Sequence, residues 1–185
     1  HGIVTLNGDG SFTYEHDGSA TTSDSFTYRA GDGEALSNVA SVALVILHPP
    51  VAADDIAVTD EDASAGIDVL ANDGDLDGTP LAASLTIAAG PGHGTLDIDP
   101  TTGRIVYTPP ADFSGHDSFR YVVRDDDGLV SDEATVSVTV RSINDAPLAG
   151  EDAYGTDEDR VLVVAGPGLL ANDVDPDGGG LTAML

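Results

Sequence analysis

Cysteine, lysine and tryptophan are absent from this chain of 185 residues. Without cysteine there is no disulfide, no thiolate zinc site and no cysteine nucleophile, although such a chain fits either redox compartment. Without lysine, the basic side chains are six arginines against 33 acids, and the net charge is −27. A chain with no basic face does not bind phosphate, which excludes nucleic acid as a partner and anionic membrane surfaces with it. Apolar runs are short. None reaches the ~20 residues of a membrane span, so membrane insertion is not expected. Long helical periodicity is also missing. The sequence opens without a signal peptide and in what reads as mid-domain, as expected of part of something longer whose targeting signals lie elsewhere.

What the chain has in excess is aspartate: 27 Asp against 6 Glu. Adaptation to high salt would make a metal-free spacer acidic, but it would use glutamate freely. A preference for the shorter carboxylate points to turns and metal loops. Leu70–Gly78 reads LANDGDLDG and Leu170–Gly178 reads LANDVDPDG, 100 residues further on. Each contains Asp-x-Asp-x-Asp-Gly (Asp73, Asp75, Asp77, then Asp173, Asp175, Asp177). Hard oxygens at alternate positions before a turn glycine suit Ca²⁺. An EF-hand is excluded, because the twelfth loop position counted from Asp73 is Ser84 rather than a bidentate Glu. The competing reading is an Asp-rich surface turn with no ion. Asp125-Asp126-Asp127-Gly128 has the same two readings. Like charges at ~4 Å cost about 1 kcal/mol per pair even in water, so repeated clusters make sense if a cation neutralises them.

The loops belong to a repeat. Residues 51–147 form a complete copy, residues 1–50 match its second half, and residues 148–185 match its first half. His1-Gly2 matches His93-Gly94, Tyr14 matches Tyr107, and Asp24-Ser25-Phe26-x-Tyr28 matches Asp117-Ser118-Phe119-x-Tyr121. Asp60-Glu61-Asp62 recurs as Asp157-Glu158-Asp159. Period-2 runs such as Phe119, Tyr121, Val123 and Val136, Val138, Val140 are strands with one apolar face. Asp99–Gly103 reads as a hairpin turn. About seven strands in about 97 residues is the pattern of an all-β immunoglobulin-like sandwich. The expected core is Val69, Leu85, Leu96, Ile98, Tyr107, Phe113, Phe119, Tyr121, Val136, Val138 and Val140. Leu185 corresponds to Leu85 and His1 to His93, so the two half-copies together supply nearly one sandwich. One expectation is therefore head-to-tail self-association. The other is oddly packed ends.

His93-Gly94-Thr95-Leu96, Tyr107-Thr108-Pro109, Phe113-x-Gly115-x-Asp117-Ser118-Phe119-x-Tyr121 and Asn144-Asp145-Ala146-Pro147 together resemble the tandem cadherin-like (VCBS-type) repeats of large bacterial surface adhesins. The resemblance covers essentially the whole chain. It implies immunoglobulin/cadherin-like β-sandwich repeats in tandem, an extracellular location at a bacterial cell surface, and a stalk or adhesion role with Ca²⁺ between neighbouring repeats. Carried onto this sequence, the second junction (between residues 51–147 and 148–185) would use Asp125, Asp126 and Asp127 from the middle copy, Asn144 and Asp145 from the linker, then Asp152, Glu158, Asp173, Asp175 and Asp177. The first junction (between residues 1–50 and 51–147) departs from the pattern. His48-Pro49-Pro50 stands where Asn144-Asp145 stands, and Asp32 stands alone for the triplet. There Asp54, Asp55, Glu61, Asp73, Asp75 and Asp77 remain, and weaker or fewer ions are expected.

No Gly-x-Ser-x-Gly elbow or His-x-x-x-His pair exists, and acids are too abundant for any two to signal a glycosidase. His116 beside Asp117 invites a catalytic reading, but the matching position in the first copy is Ser23. An enzyme is not expected. A Ca²⁺-dependent carbohydrate-binding module is the alternative. With no tryptophan, its one candidate contact is Tyr154, which reads more simply as part of an interdomain seam. A surface receptor or glycan is the expected external partner.

Overall fold

The computed structural model describes all 185 residues. Residues 1–50 form two hairpins: β1 (Gly2–Leu6) with β2 (Phe12–His16), and β3 (Ser23–Tyr28) with β4 (Ala40–Val45). The middle copy adds β5 (Asp55–Asp60), β6 (Ala65–Ile67), β7 (Thr86–Ala89), β8 (Thr95–Ile98), β9 (Ile105–Thr108), β10 (Gly115–Val122) and β11 (Ala134–Arg141). These seven strands make two sheets, ordered β5-β11-β10-β7 and β6-β9-β8. Every residue classed as buried lies between Pro50 and Val140.

Alternation explains that core. On β11, Ala134, Val136, Val138 and Val140 are buried, while Thr135, Ser137 and Thr139 point away. On β10, Phe119 and Tyr121 face inward between Ser118 and Arg120. Each such side chain contributes roughly 1.5–3 kcal/mol on burial. Val69, Leu85, Tyr107 and the β10 and β11 positions expected from the sequence are buried, while Leu96, Ile98 and Phe113 are only half-buried against them. The Asp99–Gly103 turn forms as expected, with Gly103 at φ 74° and its N–H donated to the Asp99 carbonyl.

One pairing sets the geometry of everything below. β5 lies parallel to β11, Asp55 opposite Val136 and Asp60 opposite Arg141. The segments leaving both strands therefore emerge at the same pole, which faces residues 148–185. The antiparallel β10–β11 hairpin sends its loop, residues 123–133, to the opposite pole, where β5 begins.

Residues 148–185 contain no strand. They keep local turn geometry only: the Leu148–Val174 bridge repeats Val51–Gly74, Asp159 (φ 61°) repeats Asp62 (φ 59°), and a 3₁₀ turn spans Gly168–Leu170. The valine-rich run Val161–Val164 has no neighbouring strand, and propensity without a ladder partner does not make a strand.

Candidate metal centres

Asp117 anchors the frame of the middle copy rather than acting as a site. Its carboxylate accepts the N–H groups of Gly92, His93, Gly94 and Ser118 at 2.6–3.1 Å and the Tyr107 hydroxyl at 2.9 Å. Burial opposes its charge, but the bonds from Gly94, Gly92, Ser118 and Tyr107 outweigh it and hold the carboxyl at about 2. Asp24 and Tyr14 repeat the pair at 2.8 Å in the first copy. With every oxygen engaged, Asp117 is not free to act as a general base. The neighbouring His116 contacts Thr139 at 3.2 Å.

At the second junction three segments converge. Glu61 follows β5 and is buried, and its Oε1 accepts the Ile143 N–H at 2.6 Å. The Asp145 N–H donates to Asp177 Oδ2 at 2.7 Å. Glu61, Asp145 and Asp177 each place a carboxylate oxygen within 4.8 Å of the others. Asp62, Asp112 and Asp145 make a second such triplet. Asp62 and Asp112 both take left-handed backbone (φ 59° and 56°), a conformation aspartate tolerates better than most residues, and the Asp112 N–H donates to Asp62 at 3.2 Å. Burial, then the charges of Asp177, Asp112, Asp62 and Glu61, raise the Asp145 carboxyl above its ordinary value. None of these acids is in an ion pair with a side chain; the arginine pairs are Arg120–Glu133 and Arg141–Asp60.

At the first junction the acids come almost entirely from one side. Asp75 Oδ1 accepts the N–H groups of Asp77 and Gly78 at 3.1 Å, and its buried Oδ2 has no hydrogen-bond partner. Asp126 leans across to accept the Thr79 N–H at 3.0 Å. Asp127 is raised above its ordinary value by burial and by Asp126, Asp125, Asp77 and Asp75, which together surround it. Asp77 accepts the N–H of His48 at 3.0 Å, and the His48 ring meets the Thr21 carbonyl at 2.9 Å.

This placement corrects the sequence assignment in two respects. The Asp125–Asp127 triplet does not join Asp145 and Asp173–Asp177; it sits at the opposite pole, beside Asp75 and Asp77. Glu61 is not at the first junction but at the second. The β5–β11 parallel pairing and the β10–β11 hairpin decide both. Asp125 is buried and turned inward, accepting the Leu129 N–H at 2.8 Å, so it shapes its own loop. Asp73 and Asp173 each accept a backbone N–H, from Ala53 and Gly150, at 2.8 and 2.9 Å. Asp175 accepts the Asp177 N–H at 3.0 Å. Asn144 is exposed and bonds the carbonyl of Asp145. Asp152, bonded to Tyr154 at 3.4 Å, and Glu158 are exposed and stand outside the cluster. Tyr154 is exposed rather than seamed between domains. Asp112 was missed; the signal was its position after β9, at the pole where β10 begins.

Behind the first junction, the Tyr121 hydroxyl donates within a buried knot. It lies 2.9 Å from the Val69 carbonyl, 3.0 and 3.1 Å from the Asp73 oxygens and 3.4 Å from Asp55. Burial, with the Asp73 charge, lifts Asp55 to about 6.

The two triplets at the second junction fit a hard divalent cation: they are all oxygen, mutually repulsive and without a basic partner. At the first junction no three acids converge as closely, and the orphaned buried oxygen of Asp75 stands there alone.

The sandwich and its repetition place the chain in a known family: it belongs to the bacterial Ig domain family, whose family model matches residues 1–45 and 48–139. Protocadherin Fat 1 of Homo sapiens is 36% identical over 96 residues, a match covering 49% of this chain and 2% of that protein. Similar solved structures include an endo-fucoidan hydrolase, MfFcnA4, from glycoside hydrolase family 107, at 20% identity and a TM-score of 0.41, covering 80% of this chain and 24% of that one. The PKD domain from KIAA 1837 protein has 21% identity and a TM-score of 0.36, covering 50% of this chain and 85% of that one. No helix of the chain is long and apolar enough to cross a membrane.

Proposed function

We propose that this chain is a non-enzymatic stalk or adhesion module of a bacterial surface protein, made rigid by Ca²⁺ at the second junction. The observation that carries this reading is the convergence of Glu61, Asp145 and Asp177, one acid from each of three separate segments, within 4.8 Å. Glu61 belongs to the body of the middle domain, Asp145 to the linker, and Asp177 to the following segment. Asp62 and Asp112 border the same space. Ca²⁺ bound there would supply charge neutralisation between the three segments. Without it, mutual repulsion among these residues opposes a fixed angle at the linker.

The likeness to a protocadherin and membership of a bacterial Ig family support the structural role. An extracellular location follows from the same reading, because extracellular modules typically bind Ca²⁺ at about 10⁻⁴–10⁻³ M, filling outside a cell and emptying inside. At a hundredfold excess over the dissociation constant each site stabilises the ordered form by about 2.7 kcal/mol. Calorimetric titration with Ca²⁺ tests this. The expected result is millimolar or tighter binding that Asp145→Ala removes. No heat at millimolar Ca²⁺ overturns it and leaves a metal-free acidic spacer.

A further inference from the structure

The outer face of the β5-β11-β10-β7 sheet is unlike the rest of this acidic molecule. It belongs to the complete copy and lies on its flank, between the two poles from which the linkers leave. Hydroxyls cover its centre: Ser118 on β10 and Thr135, Ser137 and Thr139 on β11. On the edge strand β5, Ile56 is 82% exposed and Val58 54%. Three acids border the face, and each is engaged. Asp60 pairs with Arg141 and Glu133 with Arg120, both at 2.7 Å, and Asp54 accepts the Thr135 N–H at 2.7 Å. Two of the six arginines therefore sit here, and no acid of the face lacks a partner. At the acid-rich poles, like charge opposes the approach of a second copy; here it does not.

The face is also complementary to itself. Ser137 lies opposite Ser118 on β10 and opposite Ile56 on β5. Along β11, Thr135 and Thr139 stand two residues to either side of Ser137, and Glu133 and Arg141 stand four residues to either side. Consider a two-fold axis at this level, in the plane of contact and perpendicular to the strands. It sets Ser137, Ser118 and Ile56 each against its own equivalent, Thr135 against Thr139, and His116 against Arg120. It also sets Arg141 against Glu133 at both ends. The ion pairs then join across the contact: Asp60–Arg141 of one copy continues into Glu133–Arg120 of the other, acid and base alternating. We propose that two copies of this chain associate through this face, antiparallel, about a two-fold axis at Ser137.

The contact is isologous, so it closes at two copies and does not propagate. Stacked sheets cross at about 30° because each is twisted, and the long Arg141 and Glu133 side chains span the divergence at the ends. Its size sets its strength. Four strands ~4.8 Å apart, the longest of eight residues at ~3.3 Å each, offer about 500 Å² per copy. About 1,000 Å² in all is the lower end for a specific interface, so the dimer is weak and forms with rising concentration. At physiological ionic strength the Debye length is ~8 Å, and charge at the distant poles is largely screened from the contact.

The inference does not depend on the cation reading, and its test is run on the full chain in chelator. Light scattering from micromolar to millimolar concentration is expected to show a molar mass rising from 18.7 kDa toward twice that value. The chain has no cysteine, so single cysteines report proximity directly. Ser137→Cys, on the axis, is expected to oxidise to a linked dimer at least ~tenfold faster than Thr95→Cys, exposed on β8 of the other sheet. Arg141→Glu and Glu133→Arg are each expected to weaken the dimer at least ~tenfold, because like charges then meet at both ends. An equal mixture of these two variants is expected to restore it, because each offers the other opposite charges at both contacts. Loss of folding in either variant could not produce that recovery, and melting of each variant checks the fold separately. A molar mass fixed at the monomer overturns the proposal. So does association that Ser137→Cys fails to trap ahead of Thr95→Cys, or that mixing the two charge variants fails to restore.

Discussion

The two poles of the middle domain present the same acid-rich loop chemistry to different neighbours. At the second pole the body of the domain, the linker and the following loop each contribute a carboxylate to one point. At the first pole Asp75, Asp77, Asp126 and Asp127 all come from the middle domain, and the preceding segment answers with the backbone of His48 rather than an acid. Ser19 stands where Asp112 would, and the linker from the last strand to the matching proline is three residues shorter: three residues separate Ile46 from Pro50, against six between Val140 and Pro147. A cation shared between domains needs ligands on both sides. One pole has carboxylates on both sides of the junction, and the other concentrates charge on a single surface.

The largest expected effect separates the poles by one atom pair. Asp177→Asn keeps the side-chain shape and removes one charge from the triplet. A unit charge at ~4 Å is worth ~4 kcal/mol at an effective dielectric of about 20, reduced further by screening. Loss of at least ~100-fold in Ca²⁺ affinity, about 2.7 kcal/mol, is therefore expected. Asp77→Asn at the first pole is expected to change the same tight binding event by less than ~3-fold, within about 0.7 kcal/mol. Equal losses at the two poles in calorimetry would erase the distinction.

A smaller effect runs the other way. His48→Asp gives the first linker the carboxylate that Asp145 provides in the second. Its expected result is a gain of about tenfold at the weaker site, about 1.4 kcal/mol, seen as a second resolvable binding step. If the titration is unchanged, the three missing linker residues rather than the missing charge set the difference between the poles.

The strands, most of the core and the acidic character of both junctions are legible in the sequence, because period-2 alternation and turn residues are local signals. Phe119, Tyr121, Val136 and Val138 needed nothing else. What the sequence conceals is which pole each loop occupies, since that depends on strand direction. Asp125–Asp127 and Asp145 are close in sequence, yet β11 runs the full height of the domain between them. Glu61 and Asp145 are 84 residues apart, yet they meet because β5 runs parallel to β11. The tail shows the opposite failure: Val161–Val164 has the composition of a strand and forms none, because a ladder partner is not encoded in the segment itself.

The subtlest difference between the poles is in pH. Asp55, behind the first pole, is held at about 6 by burial and by the charge of Asp73. Its unfolded value is the ordinary 3.8. Between those values the unfolded chain has released the proton and the folded chain retains it. The stability this group contributes is therefore present below pH ~4 and lost as the pH rises through about 6. Asp117 works in the other direction and in a separate window. Held at about 2, it contributes about 2 kcal/mol above pH ~4, lost as the pH falls through 2. In chelator, denaturant melts of the unaltered chain are expected to weaken between pH 4 and 6, and Asp55→Asn is expected to flatten that slope. Asp145→Asn, at the more open second pole, is expected to flatten it less. A slope that survives Asp55→Asn would place the pH-sensitive strain on the other raised carboxyls, Asp73 and Asp127 at the first pole and Asp145 at the second, rather than on Asp55.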